Sequence, residues 1–186
     1  MPEILEEKVV FDEHLKVEEA LIRVQKKTFT KQRVNRQDAV AVLIYNTDSD
    51  RYVLTRQFRY AISSKISGDI LEILAGKVDG NEEPEEAALR ETEEETGFHI
   101  KREDLRFLAS CFVSPGYTSE RFYIYYVEVT NFNKRSIGGG LDEENESIEV
   151  VEIGRHEFDS MIASSAFVDA KTLLAGLMIK MFPAEP

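Results

Sequence analysis

The stretch from Glu82 to Glu95 holds eight glutamates and one arginine, Arg90. Pro84 suits the first turn of a helix and Gly97 its C-terminal stop, so the spacing predicts a helix between them. At about 100° per residue, Ala88, Leu89, Thr92 and Thr96 share one arc and face the core. Glu91 and Glu95 lie one turn apart at the edge of that arc. Glu94 falls on the same side, and Arg90 can reach it at i,i+4. Like charges at this spacing repel, and half-buried carboxylates either take up protons or find a cation. One arginine does not neutralise Glu91, Glu94 and Glu95. A hard divalent ion held by carboxylates, a backbone carbonyl and water would do so. The same run also fits a solvated acidic helix face, which is how Glu82 to Glu86 read, and spacing alone leaves both open.

Charge sets a condition on any such chemistry. The chain has 186 residues, with 23 Lys+Arg against 35 Asp+Glu and a formal charge of −12. That surface repels nucleic acid and anionic membranes. A protein of this charge acts on a phosphate ester only with local cations, either arginines or metal ions. The composition, 42% hydrophobic and 31% charged, fits one soluble domain. No apolar run approaches the roughly 18 residues a membrane span needs. Met1 to Val10 is acidic and lacks the blocks of a signal peptide. A single cysteine, Cys111, excludes a disulfide framework and a multi-cysteine metal site, so a reducing cytoplasm is the expected compartment.

Strands must frame the acidic helix. Val9–Phe11 and Ala20–Val24 alternate weakly and read as two N-terminal strands. Ala39–Tyr45 is nearly continuously apolar; the turn residues 46–50 follow, then Tyr52–Phe58, which together make a hairpin. Phe107–Val113 and Phe122–Val129 flank the turn Ser114-Pro115-Gly116, and Ile148–Ile153 alternates cleanly. Helical spacing covers 156–164 and 170–181, the latter with Leu173, Leu174, Leu177, Met178 and Met181 on one apolar side. Strands in the middle with helices around them make the class α/β or α+β, a mixed sheet between helices. Three glycines, 138–140, precede Asp-Glu-Glu-Asn-Glu at 142–146. No helix start follows, so this is an acidic loop and not a dinucleotide fingerprint. Its carboxylates are either a solvated tip or further ligands. Arg56 and Arg59 are three apart at a strand end, so only one is expected to point inward. His14, His99 and His156 show no metal spacing.

Gly76, Glu82, Arg90, Glu91, Glu94, Glu95, Gly97 and Phe98 stand at the spacing of the Nudix box. Thr92 occupies a position that is usually aliphatic, and its methyl can pack there. The chain therefore resembles the Nudix hydrolases, which cleave a nucleoside diphosphate linked to another group. Leu43–Thr47, Val53–Arg59, Ser114–Gly116 with Glu120, and Gly138–Val150 look like the ADP-ribose and GDP-mannose pyrophosphatase branch. Gly138–Gly140 and Asp169-Ala-Lys171-Thr lean towards the GDP-mannose hydrolases.

The resemblance implies an α/β/α sandwich over residues 38–186, preceded by N-terminal strands in 1–37 that dimerise the chain. It implies Mg²⁺, with Mn²⁺ able to substitute, on Glu91, Glu95, the carbonyl of Ala75 and Glu146. Glu146 or Glu144 would be the general base. Glu94 would be a ligand or a neighbour of one, Arg90 would orient the glutamates, and Glu82 would close the loop. Arg59, Gly76, Lys77, Glu120 and Lys171 would contact a nucleoside diphosphate sugar. A non-catalytic Nudix-fold sensor of nucleotide sugars would carry a broken box, whereas this box is intact. An acidic scaffold without a ligand is the remaining alternative.

Overall fold

The computed structural model describes residues 1–140 and 148–183. The chain runs β1 (Glu3–Asp12), β2 (Lys16–Val24), β3 (Lys27–Asn35), β4 (Ala39–Asn46), β5 (Arg51–Phe58), β6 (Asp69–Glu72), β7 (Leu74–Lys77), α1 (Pro84–Thr96), β8 (Arg106–Phe112), β9 (Arg121–Val129), β10 (Glu149–Gly154), α2 (Arg155–Ala163) and α3 (Ala170–Met181). The central sheet is ordered β10-β5-β4-β9-β8. β4 lies parallel to β9 and every other pairing is antiparallel, so the sheet is mixed as expected.

All eight residues of β4 are buried, which is why its sequence is apolar without alternation. Leu43 packs with Leu54, Phe158, Ile162 and Phe167 beneath α2 and α3. Val42 and Ile44 pack with Ala88, Phe98 and Val127 beneath α1. Helices therefore cover both faces, giving an α/β/α sandwich. β4 also changes partner along its length. Ile44–Asn46 pair with β5, whereas Ala39–Val42 pair with β7. The far half of β5 pairs with β6 instead. The sheet opens at this fork, and Ala75, Gly76 and Lys77 line its edge.

α1 is bounded as its sequence predicts. Pro84 starts it, the Glu83 amide donates to the Glu86 carboxylate at 3.1 Å, and Gly97 ends it at φ 72°. Three features differ from expectation. The N-terminal region forms three strands, not two short ones, in a separate antiparallel sheet β1-β2-β3. β3 is solvated over most of its length and carries no alternating pattern. The short strands β6 and β7 were also not foreseen. The apolar side expected of α3 is only partly the buried one. Leu173, Leu174 and Met178 pack against the core, but Leu177 and Met181 are exposed, and Lys171, Thr172, Ala175 and Gly176 are the residues buried most fully. A Cβ at Gly176 would meet Ile162 Cγ1 at 2.7 Å, so the missing side chain lets α3 approach α2 closely.

The N-terminal sheet docks through the end of β3. The Val34 amide donates to the Tyr117 carbonyl at 2.7 Å, and the Ser119 amide donates to the Val34 carbonyl at 3.1 Å. Arg36 pairs with Glu120 at 2.7 Å.

Candidate functional site

A cleft of about 490 Å³ opens where the fork in the sheet, α1, the start of α3 and the 114–120 loop meet. It gathers residues far apart in sequence: Arg59, Gly76, Lys77, Glu91, Glu120 and Lys171 all line it, as does Ala75. The sequence-predicted substrate contacts and two of the predicted metal donors thus share one cavity. Leu15, Val34 and Arg36 bring the N-terminal sheet into the same wall.

Glu91 sits over the strand edge. A Cβ built on Gly76 would overlap its carboxylate, closer than the 3.0 Å below which real contacts essentially never fall. Gly76 is therefore a cradle for a carboxylate, and its place at the head of the box follows from that approach. Arg90 ties the loop to the helix. Its Nη1 donates to Glu91 at 2.8 Å and to Glu94 at 3.1 Å, while Nη2 donates to Glu82 at 2.8 Å and to the Lys77 carbonyl at 3.0 Å. These bonds, with Glu82 first, make the guanidinium harder to deprotonate and hold the Glu82 carboxyl below its ordinary value. Glu82 also accepts from the Asp79 amide at 2.7 Å, so it closes the loop and is not a solvated charge. Glu95 is buried on α1. Among the described residues, Arg90, Glu94 and Glu95 stand behind the cleft wall, not in it.

On the opposite wall Arg56 and Arg59 separate as their spacing requires. Arg56 pairs with Glu149 on the surface at 2.8 Å. Arg59 turns to the cleft and donates from Nε to Glu72 at 2.6 Å. Lys171 binds Glu72 at 3.3 Å and Asp169 at 2.6 Å. Sequence reasoning missed Glu72 and Arg36. The signal for Glu72 was a lone charge inside the apolar run Ile70–Ala75, since such a charge is retained only with partners.

Glu144 and Glu146 lie outside the described residues. The glycines that precede them in sequence are described. The Gly139 amide donates to the Glu95 carbonyl at 2.7 Å and the Gly140 amide to the Glu94 carbonyl at 3.3 Å. The three glycines have φ of 72°, 118° and 77° and cap the end of α1. That left-handed run is the physical reason for three glycines there. Among the described residues no group of three His, Cys, Asp or Glu converges closely enough to hold an ion. The donors at hand nevertheless suit a hard divalent cation: the cradled Glu91, Glu95 one turn on, and the carbonyl of Ala75 beside Gly76.

The sequence model of the NUDIX domain matches residues 35–171. The GDP-mannose pyrophosphatase of Escherichia coli K12 is 34% identical over 142 residues, covering 75% of this chain and 72% of that protein. The GDP-mannose pyrophosphatase of Citrobacter koseri is 33% identical over the same span. In fold, the chain is similar to a solved structure described as an ADP compounds hydrolase. The TM-score is 0.76 and the identity 22%, with 97% of this chain and 93% of that one covered.

Proposed function

The chain belongs to the Nudix family of hydrolases, and from that premise we propose that it hydrolyses the diphosphate linkage of a nucleoside diphosphate sugar of the GDP-mannose or ADP-ribose type. The products are a nucleoside monophosphate and a sugar phosphate. One observation carries the reading: a single cleft sets the cradled carboxylate of Glu91 against the cations Arg59, Lys77 and Lys171. A protein of net charge −12 needs such a local arrangement to admit a diphosphate.

Glu91, Glu95 and the Ala75 carbonyl, with Glu146, would hold Mg²⁺ or Mn²⁺. Such an ion, when bound, would neutralise phosphate oxygens and make a coordinated water easier to deprotonate near neutral pH. The chain's own residues do the rest. Arg90 keeps Glu91 and Glu94 turned towards the loop. Arg59 binds the diphosphate through charge-assisted hydrogen bonds and stabilises the charge that grows on its oxygens. Glu146, or Glu144, takes the proton from the attacking water. Attack in line on one phosphorus breaks its bond to the bridging oxygen, with no covalent enzyme intermediate.

A panel of nucleoside diphosphate sugars scored by kcat/KM tests the assignment. One or two should stand well above the rest, with GDP-mannose and ADP-ribose in front. Binding without turnover across the panel would instead favour a sensor. We also infer a homodimer built on the N-terminal sheet, whose Ile4, Val9, Val10, Phe11 and Phe29 are exposed. Among the described residues no helix is long and apolar enough to cross a membrane.

A further inference from the structure

Glu72 ends β6 with its side chain 2% exposed, inside the central fold. It accepts from Arg59 Nε at 2.6 Å and from Lys171 Nζ at 3.3 Å. Asp169, at the N-cap of α3, accepts from the same ammonium at 2.6 Å and from the Thr172 amide at 2.9 Å. Thr172 Oγ1 in turn accepts from the Ile73 amide at 2.9 Å, which fixes α3 against β6. Two carboxylates and two cations therefore form one knot. Both of its cations reach the cleft wall, whereas neither carboxylate does.

An ion pair buried for stability alone is a poor device, because apolar residues of the same size usually do as well or better. The geometry here has another use. Arg59 presents five N–H donors, and Glu72 engages the Nε edge, leaving the outer nitrogens for a ligand. Lys171 has three donors, of which Glu72 and Asp169 take two. We propose that Glu72 is a positioning residue for the diphosphate, acting through Arg59 and Lys171 to hold both cations in register against two phosphoryl groups. This rests on the hydrolase function proposed above.

The test separates positioning from mere charge balance by sign. Glu72→Gln keeps the volume and removes the charge. A carboxylate that only neutralised two cations would, once removed, leave a more positive cleft and tighter binding of an anion. A positioning carboxylate, once removed, weakens it. The probe is magnesium methylenediphosphonate, which cannot be hydrolysed, titrated by calorimetry. Weaker binding is expected, together with a loss of about 10- to 100-fold in kcat/KM. In an Arg59→Ala background the same substitution should cost no more than about threefold, because coupled sites are not additive. Should Glu72→Gln fail to fold, Asp169→Asn is the second variant. Asparagine still caps α3 while releasing Lys171, so the probe should again bind more weakly. Unchanged or tighter binding in the folded variants, or fully multiplicative losses, would overturn the proposal. A wild type that turns over no nucleotide sugar would overturn the hydrolase function instead, and the titration would still decide the role of Glu72.

Discussion

Gly76→Ala separates the site's chemistry from its stability. The backbone at Gly76 has no left-handed φ, so alanine fits the strand conformation. The added Cβ would overlap the Glu91 carboxylate, and a carboxylate is the far end of a flexible side chain, so it swings aside. Restoring ordinary contact needs a displacement on the order of 1 Å, and a misplacement of that size costs about 10²-fold in rate. That is about 2.7 kcal/mol of transition-state stabilisation. Folding should change little. Losing the Arg90–Glu91 bond costs about 1 kcal/mol, and alanine recovers about 0.4–1 kcal/mol through the unfolded chain. The melting temperature should then move by less than about 4 °C. The assay is release of sugar phosphate at saturating magnesium, read beside a melt. Gly154→Ala is the control for activity, since a Cβ there meets nothing within 4 Å, and it should leave kcat/KM unchanged. Wild-type kcat/KM in Gly76→Ala would show that Glu91 need not lie on that strand edge.

Arg90→Gln leaves Glu82, Glu91 and Glu94 without their shared partner and should cost about 2 kcal/mol, or roughly 4–8 °C in melting temperature. Its pH dependence has a definite sign. The Glu82 carboxyl is depressed in the folded state, so the stability it contributes is present above the unfolded value of 4.5 and is lost as pH falls through the lower folded value. The gap between wild type and Arg90→Gln should therefore be full at neutral pH and narrow on acidification below 4.5, as thermal melts across pH would show. Gly138→Ala puts a Cβ 2.7 Å from the Thr96 backbone, in a left-handed conformation, where nothing can yield. Its melting temperature should drop by more than that of Gly76→Ala, measured side by side. Sedimentation at micromolar concentration should give a dimer, and a monomer would contradict the role inferred for the N-terminal sheet.

Much of this was legible because the sequence leaves sharp local signals. α1 is delimited by Pro84 and Gly97, and β4 by a run apolar enough to be buried on both faces. The box spacing marks Glu91 and Gly76 together because one rests on the other. Elsewhere the signal was absent or pointed another way. β3 is polar along its length and is held by pairing with β2 and by the bonds of Val34 to the 114–120 loop, so no periodicity records it. In α3 the leucines and methionines set the expected face. Thr172 and Lys171 instead answer to Ile73 and Glu72, which are 99 residues away. Gly176 completes that face by lacking a side chain. Arg36 reaches the cleft only through the docking of the N-terminal sheet, a tertiary fact with no local trace.

The most direct measurement is ³¹P NMR of GDP-mannose and ADP-ribose incubated with the wild type, with and without excess EDTA, and with Glu95→Gln at saturating magnesium. The expected outcome is a nucleoside monophosphate and a sugar phosphate from the wild type alone, with EDTA and Glu95→Gln each abolishing both products while the fold persists. Product that survives chelation, or a wild-type rate in Glu95→Gln, would contradict the claim that divalent ions on the acidic edge of α1 drive the hydrolysis.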